Sequence, residues 1–273
     1  MRNLLAANFF RLHKSGLFWG LLGVMFAAGT AFTLQHIQHR LALGARIPLT
    51  IDLFTYALLV GFGMAVFIPL FFGAEHSGGA MRNKLTAGHP RLSIYLSHLL
   101  TGVVAALAAA AAYVLPVLGL GMFFFEPPAL GGGALILLAL GTVALLAVYC
   151  TIFTFVTMNC AKKSTSAAVC LLGMFGLYIL AGNIEIPLMH PEYLSMRITA
   201  AGEVIPGGPN PLYVGGAARA ALETLFDLLP TGQSLQYMRA DVAHPIRLPL
   251  YSLAVAAAFS AAGAALFRKK DLK

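Results

Sequence analysis

The chain has 273 residues; 59% are hydrophobic and only 10% are Asp, Glu, Lys or Arg, against about 25% in an ordinary soluble domain. With a mean hydropathy of +0.82, so few charges do not cover a soluble surface. That excludes a cytosolic enzyme, a nucleic-acid binder and a disordered chain, and the 18 Lys and Arg against 10 Asp and Glu report topology instead.

In chain order, residues 3–14 carry an amphipathic pattern, with Leu4, Leu5, Phe9 and Leu12 apolar and Asn8, Arg11 and Lys14 polar. The pattern predicts a short helix lying on the inner membrane surface; a basic flank of the first span is the alternative. Crossing about 30 Å of hydrocarbon takes about 20 mostly apolar residues. Such runs occur at 17–34, 53–74, 93–125, 130–158, 164–182 and 248–267. None alternates as a strand would, and backbone groups in lipid must be satisfied within the segment, so all six are read as helices. The first is read as a span and not as a cleaved leader. The third is long, and Pro116 with Gly119 and Gly121 predicts a kink or break near its outer end. Gly131, Gly132 and Gly133 mark a break at the outer end of the fourth.

Orientation follows from Lys and Arg. With the N-terminus inside, the inner segments hold Arg2, Arg11 and Lys14; Arg82, Lys84 and Arg91; Lys162 and Lys163; and Arg268, Lys269, Lys270 and Lys273. The outer segments hold half as many, so both termini are expected in the cytoplasm. The fold class is therefore an all-α membrane protein of six transmembrane helices, one six-helix domain over 1–273. A long outer segment spans 183–247. Within it, Arg219, Glu223 and Asp227 form a polar stripe opposite Ala218, Leu222, Leu225 and Phe226. This predicts an amphipathic helix over 217–229, ending at Pro230 and packed on the outer ends of the bundle.

The middles of the six spans hold no Asp, Glu, Lys or Arg; His98 lies early in the third, near the inner surface. That argues against a proton-coupled antiporter, which needs a titratable relay. There is no phosphate-binding Gly-rich loop and no His-Glu-x-x-His helix. His36 and His39 lack a third ligand and read as a solvated helix end, so no metal site is expected. Cys150, Cys160 and Cys170 imply no disulfide framework. Tyr149, Thr151, Thr154 and Thr157 either line a polar path or bond back to helices.

The sharpest local feature is the inner loop at 75–92. It reads as a glycine-hinged, basic helix over 77–87, capped by Ser77 and stopped by Gly88 and Pro90.

Arg82-Asn83-Lys84-Leu85, then Gly88, Arg91, Ile94-Tyr95 and Ser97, resemble permease subunits of ABC transporters of the ABC-type-2 exporter class. Those of bacitracin-, lantibiotic- and sodium-export type are the most similar. Asn8 to Leu12 with Lys14-Ser15, Leu229-Pro230-Thr231-Gly232-Gln233 and the ending Phe267 to Leu272 are similar too. The resemblance implies a permease in the plasma (inner) membrane that is not itself an enzyme and carries no cofactor. It would pair with a second copy or a sister permease and dock on a cytoplasmic ABC ATPase that holds ATP and Mg. Glu75, Ser77, Arg82, Asn83, Lys84, Gly88 and Arg91 would form the ATPase-coupling loop, with Lys162 and Lys163 as lesser contacts. Phe62, Met64 and Phe67 would face the substrate path, with Tyr149, Thr151 and Thr154 as its polar candidates. An apolar path suits a peptide, lipid or amphipathic drug. A membrane immunity or sensor protein that binds a peptide or lipid without transport stays open as the alternative.

Overall fold

Every long apolar run becomes a helix. The computed structural model describes the chain apart from residues 45, 78–79, 129, 161, 199–203 and 270–273, and apart from the side chains of 76–77, 197–198, 204–206 and 269. In chain order the helices are α1 (Arg2–His13), α2 (Gly16–Leu43), α3 (Thr50–Leu53), α4 (Tyr56–Ser77), α5 (Ala80–Thr86), α6 (Arg91–Phe124), α7 (Gly132–Asn159) and α8 (Lys163–Met189). After a two-stranded antiparallel ribbon, Met196–Ile198 with Val204–Pro206, come α9 (Gly216–Leu228), α10 (Pro230–Arg239) and α11 (Arg247–Lys269).

Six of these segments are long and apolar enough to cross a membrane: α2, α3 with α4, α6, α7, α8 and α11. The chain is thus built as a multi-pass membrane protein. α2 packs along α6, α7 along α11, and α4 sits centrally against α7 and α8. Its central place is why Val60, Met64, Ala65 and Ile68 are wholly buried, while α2, α8 and α11 keep much apolar surface exposed, as a lipid-facing surface does. One end of the bundle gathers α1, α5, the start of α6 and the last turns of α4, α7 and α11, and is called the near end. The far end carries α3, α9 and α10.

Three expectations change. The third span does not break: α6 runs unbroken through Pro116. Gly29 of α2 packs close to the Tyr113 carbonyl and the Pro116 ring at that turn. In the fourth span the glycines act only as the helix start, with Gly131 as the extended N-cap of α7 and the helix continuous from Gly132 to Asn159. Third, the long segment before the last span is not all outside the bundle. α9 forms as expected, with Arg219 paired to Glu223 at 3.0 Å. α10, however, is polar in sequence and lies buried against α4, α7 and α8.

Polar α10 survives there because its side chains find partners. Thr231 donates to the Leu177 carbonyl at 2.8 Å. Gln233 donates to the Asp227 carbonyl at 2.7 Å and accepts from Ser252 of α11 at 2.7 Å. Ser234 lies 2.6 Å from the Tyr149 hydroxyl. Gln236 donates to the Asp227 carboxylate at 3.0 Å.

Candidate functional site

At the near end, α4 runs on past the apolar run and delivers Glu75 on its last full turn. The Glu75 side chain is only 2% exposed, and its carboxylate collects two cations and an imidazole from three other elements. Arg11 of α1 is ion-paired to Oε1. Lys84 of α5 lies 2.6 Å from Oε2. His98 of α6, itself fully buried, places Nε2 3.0 Å from the same oxygen. With the proton on Nε2, His98 supplies a further donor to the carboxylate while Nδ1 faces the Met158 sulfur at 3.3 Å. Lys84 also reaches the Asn8 side-chain oxygen at 3.4 Å, and Asn8 donates to Ser97 at 3.3 Å. Phe71 stacks under the Arg11 guanidinium at 4.3 Å, and Phe72 covers the His98 ring at 4.4 Å.

This arrangement corrects the reading of α1. The structure buries Leu4, Asn8 and Leu12 and exposes Phe9 and Phe10. Asn8 and Arg11, expected on the polar outer face, turn inward to the Glu75 site. A buried carboxylate needs compensating donors, and that demand outweighs the apolar stripe.

The loop helix itself, α5, has two faces. Met81 and Leu85 enter a small near-end core with Leu4, Ile94, Tyr95, Met158 and Phe267. Arg82 and Asn83 are exposed, while Lys84 points inward. Gly88 stops the helix with φ +81°. Its N–H meets the Leu85 carbonyl at 2.9 Å and the His89 N–H meets that of Lys84 at 3.2 Å, the paired closure that a left-handed glycine permits. Arg91 opens α6 and donates to the Phe267 carbonyl at 2.8 Å, tying α6 to the end of α11. Lys162 and Lys163 are exposed at the start of α8. The Ser77 side chain lies outside the described residues.

The residues named for a path separate. Met64 and Phe67 are in the core of the helix bundle. Phe62 is half-buried, its ring 4.9 Å from Phe175 and 6.0 Å from Tyr178. Tyr149 is buried and holds α10 through Ser234 and the Pro230 carbonyl. Thr151 donates to the Ala147 carbonyl at 2.7 Å, and Thr154 is buried beside it.

The far end holds two more buried carboxylates. Asp52 of α3 meets the His36 ring at 3.0 Å, so that histidine is not a free helix end. Asp227 of α9 meets Gln236 and, at 3.1 Å, the His244 ring. Beside it opens a cavity of about 420 Å³ whose wall includes Glu185, Arg219, Glu223, Arg239 and His244.

The chain matches no family model and no curated protein. Sequence reasoning picked out Glu75 and Lys84 but missed Arg11 and Asn8 as their partners. The available signal was a carboxylate at the end of an apolar run, which requires cations from somewhere.

Proposed function

We propose that the chain is the membrane subunit of an ATP-driven exporter of the ABC-type-2 kind. It would be coupled through α5 to a separate cytoplasmic ATPase and would form the translocation path as a dimer. The observation that carries this reading is the ionic clamp on Glu75. It joins α5 to α1, α4 and α6 with short polar contacts and leaves Arg82 and Asn83 outward for a partner. A docking helix fixed this way passes a push on its outer face to two membrane helices as a unit, which is the differential two-state contact that coupling needs. The near end is then the cytoplasmic one, in keeping with its Lys and Arg, and the membrane is the plasma membrane. Peptides, lipids and amphipathic drugs suit the apolar helix surfaces as cargo.

The test is affinity purification in mild detergent with mass spectrometry of what accompanies the chain. A stoichiometric ATPase subunit, lost on Arg82→Glu, is expected. A folded chain with no ATPase overturns the reading. In that case the far-end cavity, with its mixed charges, would favour a sensor that binds a ligand without moving it.

A further inference from the structure

A cleft runs up the outside of the bundle between α2 and α4, and its two parts differ in chemistry. The lower part, at the near end, is a cavity of about 440 Å³ bordered by Arg11, Lys14, Ser15, Leu17, Leu70 and Phe71. The upper part, about 380 Å³, is almost wholly apolar and is bordered by Gly20, Leu21, Val24, Gly63, Val66 and Phe67. Leu17 borders both. On α4, residues 63, 66, 67, 70, 71 and 74 form one helical stripe through the two parts. At 1.5 Å per residue that stripe is about 16 Å long, or about half of a ~30 Å hydrocarbon layer. The cleft is therefore one leaflet deep.

Glycines explain why it is open. A side chain at Gly16 or Gly20 would meet nothing within 4 Å. At Gly63 one would strike Leu21 at 2.8 Å, so the helices close together there and end the groove.

The depth of the lower part is marked independently. Trp19 is exposed, with its indole N–H donating to the His13 carbonyl at 2.8 Å, and Phe10 is exposed beside Lys14, whose ammonium sits 4.4 Å over its ring. An amphipathic indole such as that of Trp19 sits at headgroup level. The charges facing the lower part are Arg11 and Lys14, with Lys84 behind them and the one carboxylate, Glu75, already taken by Arg11, Lys84 and His98. Two guanidinium nitrogens of Arg11, Nε and Nη2, are buried without a hydrogen-bond acceptor. The part of the Arg11 side chain that stays exposed and the Lys14 ammonium present positive charge to the cleft, which suits an oxygen anion.

The geometry points to a bound anionic phospholipid. Its phosphate lies against Arg11 and Lys14, and one acyl chain lies along the α2–α4 groove over Gly16 and Gly20. This binding does not depend on the transport reading, only on the helices spanning a bilayer.

The experiment uses the full chain in nanodiscs of phosphatidylcholine alone or with a fifth phosphatidylglycerol, read by thermal unfolding, and native mass spectrometry of the detergent-purified protein. The expected result is a phosphatidylglycerol adduct and a higher Tm in the anionic discs. Lys14→Ala weakens the adduct about fivefold, the effect of one cation near a membrane surface. Gly20→Leu, which fills open space, abolishes it. Each variant is compared with wild type in pure phosphatidylcholine, where an unchanged Tm reports intact folding. If Gly20→Leu fails to fold, Lys14→Ala alone decides. Equal stability in both discs with no selective adduct overturns the proposal. So does stabilisation by inorganic phosphate to the same extent as by the lipid, which would mark a free-anion site. Conversion of a dimer to a monomer by Gly20→Leu, with no lipid effect, would make the cleft a subunit interface and would also overturn it.

Discussion

The two ends of the bundle solve the same problem, a buried carboxylate, by different means. At the near end, Glu75 is held by Arg11, Lys84 and His98, drawn from α1, α5 and α6 across as many as 64 positions of sequence. At the far end, Asp227 is held by neutral Gln236 and by His244, both within 17 positions. The near-end site is an ionic clamp added to the apolar packing of α1, α5 and α6. The far-end site is an amide and hydroxyl network within one local fold, α9, α10 and the start of α11. Ionic clamping gives strength and a defined geometry at a surface element. Neutral bonding lets a polar helix sit inside an apolar bundle without importing charge.

The largest test of that difference is Glu75→Gln. It leaves Arg11 and Lys84 without their counter-charge. Breaking a buried pair costs about 3–5 kcal/mol. Arg11 is 37% and Lys84 18% exposed, so water offsets part of the cost and about 3 kcal/mol is expected, read as a lowered Tm in detergent. Gly232→Ala should cost about 2 kcal/mol by overpacking, because the new methyl would run into the Phe226 carbonyl where α9 folds back on α10. Asp227→Asn keeps the shape and an acceptor for Gln236, and weakens the contact to the half-exposed His244. A cost of about 1 kcal/mol is expected. A loss equal to that of Glu75→Gln would show the far end to be as charge-dependent as the near end.

Much of this was legible in the sequence, for reasons that also mark its limits. The six spans follow from apolar runs of bilayer length, and α9 from the Arg219–Glu223–Asp227 stripe. The stop at Gly88 follows from the one residue type that takes a left-handed turn without strain. Each of these depends on neighbours within a turn or two. The Arg11–Glu75 pair and the burial of Asn8 depend on helices meeting across the fold, and periodicity carries no record of that. α10 was illegible for a related reason. Residues 230–237 are polar enough to read as solvent-exposed, and partners such as Asp227, Ser252, Tyr149 and the Leu177 carbonyl make them at home inside. Of the kink or break that Pro116 predicted, the break does not occur: α6 runs through it, with Gly29 of α2 packed close by.

The smallest expected effect on stability is the one that sharpens the functional comparison most. Arg82 and Lys84 lie two positions apart on α5 and carry the same charge, so composition treats them alike. Their surroundings do not. Lys84 is engaged by Glu75 and Asn8 beside the His98 ring; Arg82 is on the exposed face. Lys84→Ala should lower the Tm, because Glu75 loses one of its cations inside the clamp. Arg82→Glu should change stability by no more than about 0.5 kcal/mol, as exposed substitutions do, yet remove a partner that reads positive charge on the outer face of α5. The two variants thus separate holding the helix from presenting it. If Arg82→Glu lowered the Tm as much as Lys84→Ala, both cations would belong to the fold and α5 would have no free basic face to offer. If neither affected capture of a partner while Lys84→Ala still destabilised, the clamp would stand as architecture and the docking role of α5 would fall.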